Sequence, residues 1–247
     1  MDDQYVCGVH AVLAALKTNA EHVEEIWVSD TRGDRRIASV LDAARAARVK
    51  VHKSPRAALD RLADGVRHQG VVARLRATPV QKERDLESFL ARLPPMPLLL
   101  VLDGVQDPHN LGACLRSADA AGVHAVIVPR EHSAPLSAVA RRAASGAAET
   151  VPVFQVVNLA RTLRELKQAG LWLAGASQEA DTDVFYADLR RPLVLVLGGE
   201  GKGLRRLTQE ECDMLVRIPM AGTVESLNVS VAAGVCLFEA VRQRSAG

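Results

Sequence analysis

A chain of 247 residues with 48% apolar content can bury one large α/β core or two smaller ones, which excludes an intrinsically disordered chain. Aromatic residues make up only 3%, and the Ala-, Val- and Leu-rich remainder suits helices packed on a sheet better than an all-β sandwich. The net charge of +2 is too small to diagnose nucleic-acid binding, but it is uneven: 13 Lys/Arg face 10 Asp/Glu over residues 1–78, and 15 face 16 over 98–247. The basic excess therefore lies in the first third, either to meet phosphates or as a mixed, solvated surface. Four separated cysteines (Cys7, Cys114, Cys212, Cys236) lack the C-x-x-C spacing of a zinc site and form no disulfide framework. The MDDQYVCG opening has no apolar signal region, and apolar runs such as 98–102 are far shorter than a membrane span. A reduced, cytoplasmic location, without a membrane, is expected.

The first third alternates helical and strand patterns. Val9, Val12, Leu13 and Leu16 recur at helical spacing over 8–17, and Ile26-Trp27-Val28 marks a strand within 22–30. An Ala-rich helix is predicted over 34–49, a strand at VKVHK, a helix opened in its first turn by Pro55, and a strand over 70–76. These residues predict a small α/β/α unit over 1–76. Residues 77–97 begin polar and end in Pro94, Pro95 and Pro97, which stop a helix, so they are expected to form a linker. From 98 onward the pattern is strand–helix–strand: PLLLVLD, NLGACLRSADAAG, HAVIVP, VPVFQV, a helix near 158–169, LWLAGAS, PLVLVLG and a closing helix within 226–244. Such alternation predicts a parallel sheet with helices on both faces, and ligands then sit beyond the carboxyl ends of its strands.

Three loops follow from that placement. In DGVQDPHN (103–110), Asn110 is expected to cap the next helix, whose packed stripe is Leu111, Leu115, Ala118 and Gly122; Arg116 falls off the stripe, free to face a ligand or solvent. LGGEGKGL (197–204) brings a glycine backbone close to a ligand, yet it matches neither a Walker loop nor G-x-G-x-x-G, and Glu200 within it repels phosphate. A cationic or hydroxyl-rich ligand suits it better. In IPMAGTVESLNVS (218–230), Ser226 or Asn228 caps the last helix.

Together, N-x-G-x-x-x-R (Asn110 to Arg116), G-x-E-G-x-G (198–203) and I-P-M-x-G…S-L-N-V-S resemble, in order and distance, the three signature motifs of the SpoU methyltransferases of the SPOUT superfamily. The resemblance covers 98–247; the Y-x-x-G-x-H-A-V opening and H-Q-G-V-V-A (68–73) resemble that family's substrate-binding domain. DPHNLGACLRSADAAGVHAVIVP and SLNVSVAAGVCLFEAVRQR place it near the bacterial 23S rRNA guanosine 2′-O-methyltransferases.

The resemblance implies an L30e/L7Ae-like RNA substrate-binding domain (1–76), a linker (77–97) and a catalytic domain (98–247) with a deep C-terminal trefoil knot. It implies S-adenosyl-L-methionine (AdoMet) as methyl donor, bent against the backbone at Gly198, Ile218 and Leu227, with Gly199 and Met220 adjacent, and no metal. It implies a homodimer whose active site is completed across the interface, and 23S rRNA as partner, with another rRNA or a tRNA nucleotide as the alternative substrate. Arg116 matches the family's usual catalytic position. Because a guanidinium stays protonated, its expected role is to clamp the target phosphate and the nascent alkoxide. Asn110 and Asn228 are expected to orient Arg116 and the ribose, Glu200 to bond one of them, and Ser226 to shape the pocket. Gly199 departs from a commoner alanine, and Lys202 is read as contacting RNA or solvent, as are Arg35, Arg36, Arg67, Arg74 and Arg76. His109 is expected to be a loop residue. Two readings compete: a Rossmann-type methyltransferase or nucleotide-binding protein, which would need its glycines after the first strand of the domain, and a non-catalytic RNA-binding protein or a resistance-type relative with another rRNA target.

Overall fold

A computed structural model describes residues 4–18, 20–30, 35–76, 79–201 and 203–245, with the side chains of Gln4, Thr18 and Arg35 left aside. Contacts divide the chain into two compact units, Met1–Pro79 with Ala144–Thr150, and Val80–Ala143 with Val151–Gly247.

The smaller unit runs β1 (Gln4–Cys7), α1 (Val9–Thr18), β2 (Val23–Ser29), α2 (Arg35–Ala46), β3 (Lys50–Ser54), α3 (Arg56–Ala63) and β4 (Val71–Leu75). Its sheet order is β1-β4-β2-β3, with β4 antiparallel to β1 and β2, and β3 parallel to β2. The strands β1, β2 and β3 therefore point the same way and hand over to α1, α2 and α3 at one edge. Val12, Leu16, Ile37 and Val40 pack with Ile26, Val28 and Ala73 on one face, while Leu59 and Ala63 cover Val72 on the other. This is the α/β/α layering that the helical and strand periods predict. Strand β1 was not among the expected elements; four residues are too few to display a period. Pro55 stands just before α3, at φ −59 and ψ 148, rather than in its first turn.

The larger unit contains β5 (Gln81–Lys82), α4 (Leu86–Leu90), β6 (Leu98–Asp103), α5 (Pro108–Ala120), β7 (Ala125–Pro129), α6 (Ala138–Ala144), β8 (Val153–Val156), α8 (Leu159–Gln168), β9 (Trp172–Ala176), β10 (Leu193–Gly198), α9 (Arg206–Glu211), β11 (Met214–Val216) and α10 (Val229–Ser245). The short helix α7 (Ala147–Thr150) groups with the smaller unit. The sheet order is β11-β9-β10-β6-β7-β8-β5, and every pair is parallel. Its central strands β6 and β10 are buried along nearly their whole length, as an apolar parallel strand covered on both faces must be.

The segment read as a linker does more than connect. Within it β5 extends the sheet beside β8, Leu86 is buried, and Phe89 tilts onto Phe154 with ring centroids 4.9 Å apart. Its polar start and two-residue strand conceal this from a periodicity argument.

Two local expectations for α5 change. Its N-cap is Asp107, whose carboxylate accepts from His109 N at 2.8 Å, with Pro108 in the first position; Asn110 lies one step further in and is not the cap. Proline lacks an N–H and has its φ preset for a first helical residue, so Pro108 fixes where the helix begins. Leu111, Leu115 and Ala118 are buried as expected, but Gly122 is exposed and ends the helix at φ +70. Its N–H donates to the Asp119 carbonyl at 3.1 Å and Val123 N to the Ala118 carbonyl at 2.9 Å, a left-handed termination that glycine adopts without strain.

Helix α10 packs on α5 and β10. At its end the Arg244 guanidinium donates to the carbonyls of Leu189, Met96 and Pro97 at 3.2, 3.2 and 3.0 Å, tying the helix to the segments that lead into β10 and β6. No helix among the described residues is long and apolar enough to cross a membrane.

Candidate active site

Because β6, β10 and β11 are parallel in one sheet, the loops after them emerge on one edge. Register places Gly198 beside Asp103 at the ends of adjacent strands. From there the glycine loop is held by backbone: Gly199 N donates to the Asp103 carbonyl at 2.8 Å, and Gly203 N to the Gly199 carbonyl at 3.2 Å. A Cβ on Gly198 would lie 2.0 Å from the Gly203 carbonyl carbon, so this position admits only glycine while the loop keeps its course. The same construction at Gly199 would meet the Gly104 carbonyl oxygen at 2.1 Å, in a chain whose loop carries glycine there.

The Asp103 carboxylate, fully buried, anchors the far end of the loop. It accepts from Arg205 N at 3.0 Å and from Arg205 Nε at 2.6 Å. Sequence reading had treated Asp103 as a turn residue and passed over Arg205. One signal was available: a carboxylate closing an otherwise apolar, buried strand needs donors, and a cation near the adjoining strand end is where to look.

Three distant segments then meet through side chains. Glu200 Oε1 accepts from Asn110 Nδ2 at 2.7 Å and from Asn228 Nδ2 at 2.7 Å, and Asn228 Nδ2 also donates to Asn110 Oδ1 at 3.0 Å. Asn228 caps α10, its Oδ1 accepting from Ser230 N at 2.9 Å and Ser230 Oγ at 2.6 Å. Of the two expected capping residues it is therefore Asn228 that caps, and Ser226 does not. The arrangement locks both amides: each has its oxygen and nitrogen assigned by a partner, so neither can rotate without leaving a polar group unpaired. One turn beyond Asn110, burial and then the charge of Glu200 push the Cys114 thiol up to about 12.

The remaining predicted positions lie around this cluster without joining its hydrogen bonds. Arg116 is exposed on α5 and Ser226 is exposed before α10; among the described residues neither has a hydrogen-bond or ion-pair partner. Gly198, Gly199, Ile218, Met220 and Leu227 are half-buried, at the end of β10 and in the segment between β11 and α10. Lys202 and the side chain of Arg35 lie outside the described residues. In the smaller unit Arg36, Arg67 and Arg76 are exposed, whereas Arg74 is half-buried, 3.2 Å from Glu24, and lies over the Trp27 ring at 6.0 Å. His109 is exposed, and no group of His, Cys, Asp and Glu able to hold a metal occurs among the described residues.

Comparison with known proteins gives this geometry a lineage. The profile of the SpoU rRNA Methylase family matches residues 97–238, and that for RNA 2′-O ribose methyltransferase substrate binding matches residues 5–81. The chain is 55% identical over 240 residues to the 23S rRNA (guanosine-2′-O-)-methyltransferase RlmB of Pseudomonas aeruginosa, covering 97% of this chain and 96% of the relative. It is 53% identical over 239 residues to the RlmB of Shewanella oneidensis, covering 97% of each. The crystal structure of the SpoU methyltransferase AviRb from Streptomyces viridochromogenes in complex with AdoMet superposes with a TM-score of 0.75 at 28% identity, covering 99% of this chain and 92% of that one. The α/β architecture, the three meeting loops and these likenesses agree: the chain belongs to the SpoU rRNA methylase family.

Proposed function

We propose that this protein transfers a methyl group from AdoMet to the ribose 2′-hydroxyl of a guanosine in 23S rRNA. The observation that carries the reading is the hydrogen-bonded meeting of Asn110, Glu200 and Asn228 at the carboxyl edge of a parallel sheet. Relatives at 50–55% identity over nearly the full chain, named as 23S rRNA guanosine 2′-O-methyltransferases, support the substrate.

The residues at that edge fit AdoMet. Half-buried Ile218, Met220 and Leu227 offer apolar surface to an adenine, the Gly198–Gly199 backbone lets a ligand approach closely, and the Glu200 carboxylate favours a cationic group over a phosphate. Bound there, AdoMet supplies an electrophilic methyl on a sulfonium. The rest is done by side chains. A ribose hydroxyl is a weak nucleophile, so its proton must be lost or polarised during attack. Arg116, unpaired and permanently charged, clamps the neighbouring phosphate and the developing oxyanion; that phosphate or a water accepts the proton. Asn110 and Asn228, held rigid by Glu200, orient the ribose and Arg116, and Ser226 lines the pocket. Positioning of this kind is worth several orders of magnitude in rate.

The same reading includes a C-terminal trefoil knot, for which β11 lying beyond β9 while α10 returns to β10 and α5 is the supporting feature. It includes a homodimer that completes each active site, a cytoplasmic enzyme needing no metal, and an RNA-binding role for residues 1–76 with catalysis assigned to 98–247. The decisive experiment incubates the protein and radiolabelled AdoMet with ribosomal RNA from a strain lacking the endogenous enzyme, then maps the modified ribose. Label on a single 23S guanosine is expected. Label on tRNA or another rRNA, or none, overturns the substrate assignment. Arg116→Lys is expected to lower kcat about 100-fold at unchanged AdoMet affinity, since an ammonium lacks the planar fork.

A further inference from the structure

The smaller unit holds a cavity that the methyl-transfer chemistry leaves unused. It encloses about 580 Å³ and opens at the edge where β1, β2 and β3 end. Its lining includes Arg36 from the first turn of α2, Arg56 at the start of α3, and Arg67, His68 and Gln69 from the loop before β4.

Three features give this edge one sign. Helices α1, α2 and α3, of 10, 12 and 8 residues, all begin here, so their positive dipole ends converge on it. Three guanidiniums line the cavity, and among the described residues neither Arg56 nor Arg67 has an ion-pair partner. The carboxylate in the lining, Asp60, is already engaged. His68 Nδ1 accepts from Gly70 N at 3.1 Å, so Nε2 carries the proton and donates to Asp60 at 2.9 Å.

That buried imidazole also fixes the wall. Asp64, Gly65, Gln69 and Gly70 all take positive φ, and the loop keeps this course because His68 is pinned at both nitrogens while Val9 N donates to Gln69 Oε1 at 3.4 Å. The H-Q-G stretch at 68–70, which the transfer reaction does not involve, thus shapes the cavity. Unpaired cations on a preformed wall suit a phosphodiester, and a volume of several hundred Å³ admits a whole nucleotide.

We propose that this cavity is a phosphodiester-binding site for the substrate RNA, in which Arg56 and Arg67 grip a backbone phosphate at a nucleotide other than the one methylated. The proposal rests on the RNA-methylation reading for the identity of the RNA. A free phosphate or mononucleotide offers the same chemistry, and the test separates the two sources.

The test measures binding of a 23S rRNA transcript by wild type, by the Arg56→Ala/Arg67→Ala double variant and by the corresponding double lysine variant over a range of KCl. Inorganic phosphate and GMP are titrated in parallel, and AdoMet binding serves as the control for folding. The alanine variant is expected to bind RNA about 10–100-fold more weakly, with a plot of log K against log[KCl] shallower by about 1, and with AdoMet affinity unchanged. The lysine variant is expected to recover the salt slope, which a purely structural role for the arginines would not produce. RNA affinity within twofold of wild type and an unaltered slope would overturn the proposal. So would loss of phosphate or GMP binding with RNA binding intact, which marks a small-anion site. If wild type binds RNA through the arginine pair but transfers no methyl group to it, the proposed function fails and the cavity assignment stands.

Discussion

Both units present loops at the edge where parallel strands end, yet the two edges are built from different chemistry. In the larger unit the edge carries an acid and two amides, Glu200, Asn110 and Asn228, bonded to one another at 2.7–3.0 Å. In the smaller unit it carries Arg36, Arg56 and Arg67 around a cavity, with its carboxylate already held by His68. Fixed amides position a neutral hydroxyl, where small displacements cost much rate. Guanidiniums instead capture a polyanion, with tolerance in geometry but sensitivity to salt. Fold alone therefore does not distinguish a transfer site from a docking site; the side chains at the strand ends do.

The contrast can be broken at several points. Gly198→Ala forces a methyl into the Gly203 backbone and should weaken AdoMet binding by about 100-fold or more, roughly 3 kcal/mol, read by calorimetry. Unchanged affinity would show that the loop is not built backbone against backbone. Asn110→Asp sets a second carboxylate against Glu200 and is expected to lower kcat about 100-fold at pH 8 with RNA affinity within twofold. The deficit should narrow as pH falls, because one of two facing carboxylates has a raised pKa and regains its proton; a deficit constant with pH would remove charge repulsion as the cause. Asp103→Asn breaks the tie to Arg205. Since the Arg205 side chain is 48% exposed, the cost should fall below that of a fully buried pair, about 2–3 kcal/mol, seen as a lower Tm with weaker AdoMet binding. The mildest test is salt: raising KCl from about 50 to 200 mM should weaken RNA binding about tenfold or more and move AdoMet affinity less than twofold. Equal sensitivity of both ligands would erase the distinction between the edges.

Much of this was visible in advance, and the failures have identifiable causes. The alternation from residue 98 onward, the buried stripe Leu111–Leu115–Ala118 and the three loops follow from spacing and from the apolar strands 98–103 and 193–198. Strands β5 and β11, of two and three residues, are shorter than any period. The capping error at Asn110 arose because Asp107 and Asn110 are both good caps, and only Pro108 between them breaks the tie. The Asp103–Arg205 tie spans 102 positions, and nothing local in either residue points to the other.

Period, capping chemistry and glycine content, all properties of neighbours along the chain, decide which stretches become strands and helices and which loops end up at strand termini. Pairing across 90 and 118 positions is a different matter: Asn110 meets Glu200 and Asn228 only after β6 and β10 align in register and α10 docks on α5. The reason is energetic. Local periodicity costs no loop closure, whereas contacts between distant residues form only when burial of the shared sheet offsets the entropy of bringing those segments together.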